Sequence, residues 1–306
     1  MAGCFGRSHK ISRPTNENIE NCIHNLKLKG LQEETLKAMK RRLYTLSKKT
    51  DINNPYEILE FLANAKWKNT TKNLIARYYN HYAKSIGKKW NKPKYAEEER
   101  FPYIPTEQEI DQLIASACTL YATILQTLKE TGIRTDELMK LQWTDINTER
   151  KTINITPSKR SNPRILPISN KLIALLNKLP HKQPKIFTMD KHSLRNTYYN
   201  IRKRATKKLS NPNLMKITLH TLRHWEATME YHKTKDIIHV KTILGHKTIN
   251  CTMTYINIEQ ALFLQETDEW TTKVTHDINE ETKAINAGFQ LVRAINETTA
   301  IYKKRK

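Results

Sequence analysis

The sequence predicts a mostly α, α+β protein: an all-helical N-terminal domain over residues 1–87, an α-rich second domain with a small antiparallel sheet over 106–265, and a small αββ tail over 266–306. Three observations predict it. Apolar residues recur at three- and four-residue steps through most of the chain, as amphipathic helices require. Only two short runs before the tail, KTINIT (151–156) and RILPI (164–168), carry the alternation of strands. Between the larger parts, KKWNKPKYAEEERFPYIP (88–105) sustains neither period and holds three prolines, the composition of a linker.

In the first part Leu36, Met39, Leu43 and Leu46 make one stripe, and Leu74, Tyr78 and Tyr82 another. Gly30, Asn53-Asn54-Pro55 and Lys68-Asn69 punctuate the pattern into about four short helices with basic opposite faces. The second domain opens where Thr106 and Glu109 take capping-box spacing ahead of Ile110, Leu113, Ile114 and Ala117. A helix from about Tyr121 to Glu130 follows, then the two strand-like runs around the polar turn PSKRSNP. Helices are expected around 169–178, 191–208, 220–232, 235–244 and 247–260. In the tail a helix near 279–286 precedes GFQLVRAI and TAIYKKRK, two strands about the turn-prone Asn296-Glu297.

The chain carries 53 Lys and Arg against 30 Asp and Glu, a net charge of +23, which favours a polyanionic partner. The excess falls on residues 1–100 (21 basic, 10 acidic) and 101–265 (25 and 13), while 266–306 balances at 7 and 7. Cys4, Cys22, Cys118 and Cys251 form no C-x-x-C pair, which argues against a disulfide framework or a thiolate metal site and fits a reducing compartment. No apolar stretch approaches the roughly 18 to 20 residues of a membrane span, and the start lacks a hydrophobic signal core, so a cytoplasmic protein is expected.

Splitting a phosphodiester without a metal needs a nucleophile, cations for the non-bridging oxygens and an acid for the leaving oxygen. Four motifs offer these groups. TGIRTDELMKLQW (131–143) has a turn at Gly132 and Arg134 at a helix start, where side chain and helix amino end can face one phosphate. HTLRH (220–224) puts His220 and Arg223 on one helical face. A metal reading would use His220 and His224, but no Glu follows His220 and no acidic third ligand is evident. LGHKTINCTMTY (244–255) places His246 nine residues before Tyr255. PSKRSNPRILPI offers Lys159 on a turn, a flexible ammonium able to reach a leaving oxygen. Each motif alone also describes an ordinary surface or core residue.

Together they resemble the tyrosine recombinase (phage-type integrase) family, and closely its Xer-like members; HTLRHW and the tail also look like archaeal integrases. The family's order, Arg, hairpin Lys, His-x-x-Arg, His or Trp, then Tyr, is met by Arg134, Lys159, His220, Arg223, His246 and Tyr255. T-G-x-R-x-x-E-L puts Glu137 at the family's supporting acidic position, and PSKRSNPRILPI resembles the family hairpin with its glycines replaced by Ser158 and Arg160. The resemblance implies a site-specific recombinase working through a 3′-phosphotyrosyl intermediate, with neither metal nor cofactor. Tyr255 would be the nucleophile, Arg134, Arg223 and His246 the phosphate contacts, His220 the handler of its proton, Lys159 the general acid, and Glu137 the support of His220 and Arg134. It further implies a core-binding (SAM-like) first domain, a clamp on double-stranded DNA, a homo-tetramer on two recombination sites, and a place on a mobile element or in chromosome upkeep; the charge-neutral tail is expected to serve assembly instead of DNA contact. The alternatives are type IB topoisomerase-like relaxation and a catalytically silent DNA-binding protein.

Overall fold

Four helices build the first unit: α1 (Arg13–Leu28), α2 (Glu33–Ser47), α3 (Pro55–Asn64) and α4 (Asn69–Ser85). The structure, a computed structural model, describes residues 13–98, 100–158, 161–263, 270–296 and 298–305, and divides into two units between Arg100 and Phe101. The α2 stripe of Leu36, Met39, Leu43 and Leu46 is buried as its spacing predicts. It meets Ile19 of α1, Ile58 and Leu62 of α3, and Ile75, Tyr79 and Tyr82 of α4. Pro55 starts α3, where its missing N–H costs nothing, and the Asn54 side chain accepts from the Tyr56 amide.

Residues 88–98 carry no regular element, yet they are held to α4: Trp90 Nε1 donates to Asn80 Oδ1 at 3.2 Å, and Asn73 bonds both backbone groups of Tyr95 at 2.9 Å. The expected linker is therefore docked along this stretch. In the second unit Tyr103 and Ile104 pack on the larger core, and Tyr103 donates its hydroxyl to Glu109 Oε2 at 2.7 Å.

That unit opens with α5 (Glu107–Ala115), whose Thr106–Glu109 capping box forms as the sequence predicts. Next comes α6 (Thr119–Thr131), buried almost all round. A single turn, α7 (Thr135–Leu138), leads to an antiparallel sheet of β1 (Ile146–Asn147), β2 (Thr152–Ile155) and β3 (Arg164–Pro167) in that order, with Ile155 opposite Arg164. Ile153, Ile155 and Leu166 face the core while the residues between them face out. The helices α8 (Asn170–Leu176), α9 (Lys191–Leu209), α10 (Leu219–Thr234), α11 (Ile237–Leu244) and α12 (Asn250–Phe263) follow. Residues of α10, α11 and α12 share a satellite core of Ala227, Val240, Leu244, Tyr255 and Ile258.

The tail has one strand more than the sequence suggested. β4 (Trp270–Thr275), α13 (Ile278–Asn286), β5 (Gln290–Ala294) and β6 (Ala300–Arg305) form a βαββ unit, sheet order β4-β6-β5, over a small core of Ala284, Ala300 and Tyr302. The helix and the two later strands fall where expected. No helix among the described residues is long and apolar enough to cross a membrane.

Candidate active site

Gly132 ends α6 with φ +57°, and its N–H still reaches the Leu128 carbonyl at 3.0 Å. The chain thereby turns to place Arg134 at the head of α7. There its side chain, 30 % exposed, donates from Nη1 to Ser161 Oγ at 2.8 Å. Glu137, buried one turn on, accepts the Arg134 amide at 3.0 Å and Arg164 Nη2 at 2.7 Å on Oε2. Its Oε1 lies 3.3 Å from Arg164 Nη1 and 3.6 Å from Arg134 Nη1. Burial works to raise the Glu137 pKa, but the Arg164 hydrogen bond and the Arg134 amide outweigh it and hold the carboxyl below its ordinary value.

Arg223 enters from the first turns of α10 and is 2 % exposed. Its Nη1 donates to the Gly132 carbonyl at 2.6 Å, and its Nη2 to the Leu244 carbonyl at 2.7 Å and to His246 Nε2 at 2.9 Å. A guanidinium can only donate, so His246 Nε2 accepts and Nδ1 carries the proton given to Thr252 Oγ1 at 2.8 Å. Burial, then Arg223, Arg134 and Arg164, push His246 down to about 4, in keeping with a neutral ring. Burial and Arg134 lower Arg223 to about 9, which leaves it charged at neutral pH.

The turn between α11 and α12 depends on Gly245. Its φ is +67°, and a Cβ there would lie 2.8 Å from Arg164 Nη1 and from Ser161 Oγ. The segment after the β2–β3 turn docks on it: Asn162 N–H and Ser161 Oγ both donate to the Gly245 carbonyl, at 3.1 and 3.0 Å, and Arg164 Nε donates to the Ile243 carbonyl at 2.7 Å. On α12, Thr252 and Tyr255 lie three residues apart and so share the inward face. The Tyr255 hydroxyl lies 3.1 Å from His224 Nδ1. Burial raises the phenol pKa, opposed by Arg223 and Arg134.

Arg134 with Glu137, Arg223, and His246 with Tyr255, three distant stretches of the sequence, thus meet in one place. With Arg164 added, three guanidiniums face one carboxylate, so the site carries excess positive charge suited to an oxyanion. Two expectations fare differently. Glu137 supports Arg134 but pairs with Arg164 instead of His220, because β3 delivers a guanidinium bidentately to the carboxylate; His220 lies exposed at the start of α10, with its ring edge-on to His224 at 4.7 Å. Lys159 lies outside the described residues, though β2 and β3 on either side of its turn are in place. Sequence reasoning missed Arg164, Ser161, Thr252 and His224. Arg164 stood inside the quoted hairpin motif, and Thr252 is one helical turn before Tyr255. His224 enters the sequence pattern only as a candidate metal ligand.

The family model described as the phage integrase family matches residues 105–261. Among curated relatives, tyrosine recombinase XerD of Listeria innocua is 26 % identical over 285 residues, covering 79 % of this chain and 94 % of that protein. Tyrosine recombinase XerA of Pyrococcus horikoshii is 25 % identical over 263 residues, covering 78 % and 88 %. Among solved structures, a lambda integrase tetramer bound to a Holliday junction has the same fold at TM-score 0.61 and 16 % identity, over 81 % of this chain and 78 % of that one.

Proposed function

The chain belongs to the phage integrase family, and from that premise we propose that it is a site-specific DNA recombinase that cuts and rejoins strands through Tyr255. The observation that carries the reading is the convergence of Arg134, Arg223, His246 and Tyr255 from three separate segments. The scissile phosphate lies on Arg134 and Arg223. The bonds that Arg223 makes to two carbonyls and His246 use three of its five N–H groups, so its Nε and one Nη1 hydrogen remain for phosphate oxygens. Charge on those oxygens grows as Tyr255 Oη attacks, so the arginines stabilise the transition state more than the bound substrate.

The P–O5′ bond then breaks, and Lys159 protonates the leaving oxygen, a role that rests on the family resemblance. The 3′-phosphotyrosyl bond conserves the energy of the original linkage, so the 5′-hydroxyl of a partner strand can displace Tyr255 without ATP. Glu137 offsets the repulsion between the Arg134 and Arg164 guanidiniums and holds both in place. Four copies acting on two DNA sites in the cytoplasm, in integrating a mobile element or resolving chromosome dimers, complete the proposal; the lambda integrase tetramer of the same fold supports the stoichiometry.

The test is a nicked suicide duplex, selected by binding from a randomised pool, incubated with protein and run on a denaturing gel. Wild-type protein should give a covalent adduct, and Tyr255→Phe should bind the duplex equally but give none. An adduct that persists in Tyr255→Phe would move the nucleophile elsewhere, with Tyr231 the first residue to examine.

A further inference from the structure

The Tyr255 phenol is buried, and the hydroxyl hydrogen of a phenol must be donated somewhere. The cations close enough to act on it, Arg223 and Arg134, offer donors alone, whereas His224 Nδ1 stands 3.1 Å away. His224 Nδ1 therefore accepts, and its Nε2 carries the ring proton. The His224 ring is half-buried and meets the ring of the exposed His220 edge-on, with centroids 4.7 Å apart. Phenol, inner imidazole and outer imidazole thus form a row from the buried nucleophile to the surface. His220 and His224, on adjacent turns of α10, take the two outer places in it.

We propose that His224 takes the proton from Tyr255 as the phenol attacks, and returns it to the phenolate when the incoming 5′-hydroxyl displaces Tyr255. The proposal rests on the reading of Tyr255 as nucleophile. The Oη–H bond breaks and its proton joins Nδ1, making an imidazolium; the Oη–P bond forms; the P–O5′ bond breaks, and its electron pair leaves on O5′ to be protonated by the general acid. The groups that face His224 are His220 and Arg223 on its own helix and Tyr255 on α12. Burial, then His220 and Arg223, push His224 down to about 4, so its lone pair is free throughout the neutral range. A phosphate on Arg223 offsets that cation and makes the imidazole more basic at the moment a base is needed. His224 touches the reacting oxygen, which makes it a catalytic residue under this proposal.

The experiment measures adduct formation on a duplex whose bridging 5′-oxygen is sulfur, so that protonation of the leaving group no longer limits the rate. His224→Gln should bind this duplex normally and react about 100-fold more slowly, the usual scale of a general base. Incorporating 3,5-difluorotyrosine at position 255, which ionises at far lower pH, should then restore His224→Gln to within about tenfold of wild type, because the base is no longer required. His224→Asn provides a second variant should glutamine not be accommodated, with thermal unfolding as the check on folding. A folded His224 variant that reacts at the wild-type rate, or faster, overturns the proposal. So does a defect that difluorotyrosine leaves unchanged, since that would make His224 a packing residue. If the wild-type protein itself gives no adduct, the nucleophile reading falls and takes the proposal with it; if wild type reacts and His224→Gln matches it, only the proton acceptor is misassigned.

Discussion

Arg164 shows how far a single side chain can bind catalysis to folding. It is buried, bidentate on Glu137 and bonded through Nε to the Ile243 carbonyl. Arg164→Leu strands the Glu137 carboxylate in the interior, and breaking such a buried pair from one side costs about 3 to 5 kcal/mol. Urea unfolding at pH 7 should register that loss. The pH dependence has a definite sign. In the wild-type protein Glu137 ionises below its ordinary value, so its contribution is complete above that value and fades as pH falls through the lower folded one. In Arg164→Leu burial dominates and favours the protonated acid, so the stability gap between the two proteins should narrow between pH 7 and pH 5. A gap that stays constant would mean that Glu137 keeps its charge by another contact.

Among the elements, the turn from α11 to α12 concentrates the most demands on one position. Gly245 has a left-handed backbone, offers its carbonyl to Asn162 and Ser161, and leaves no room for a Cβ beside Arg164. Gly30 is the control, since its φ is +78° but nothing lies within 4 Å of an added Cβ. Gly30→Ala should cost the left-handed penalty alone, about 1 to 2 kcal/mol, and leave adduct formation intact. Gly245→Ala should cost more, and by displacing Ser161 and His246 it should slow adduct formation about 100-fold, the scale of a misplacement near 1 Å. Equal behaviour of the two variants would deny the turn its positioning role. The L-G-H triplet was legible because a glycine between helices has few other uses. The Thr106–Glu109 cap, the α2 stripe and the β2–β3 hairpin were legible because cap spacing and apolar period are local. β4 was not: its alternation runs through threonines and a lysine and follows an acidic stretch, so WTTKVT lacks the apolar contrast of a half-buried strand. Nor could the sequence disclose that Arg164 takes Glu137, or that His224 and not His220 meets the phenol, because three-dimensional proximity decides both.

For the whole molecule the largest quantity is charge. The +23 excess lies on the two larger parts of the chain and vanishes over residues 266–306, so both larger parts should meet the DNA backbone. Log affinity should then fall by about 0.9 per phosphate contact for each decade of salt. Titrations of one half-site from 50 to 200 mM salt test this: with the roughly 6 to 10 contacts expected of two basic parts, affinity falls about 10³- to 10⁵-fold. A slope worth only one or two contacts would confine DNA to one of them. Arg223 carries the fold and the proposed chemistry in one side chain, because its buried charge also secures the Gly132 and Leu244 carbonyls. That double duty shapes what neutral drift can do. A lineage released from selection for strand cleavage can shed the Tyr255 hydroxyl with its fold intact, whereas shedding Arg223 orphans two carbonyls at once. Silent descendants that survive as DNA-bound proteins therefore retain the arginine and lose the phenol, so that among such genes the tyrosine, not the arginine, distinguishes the living enzyme from its fossil.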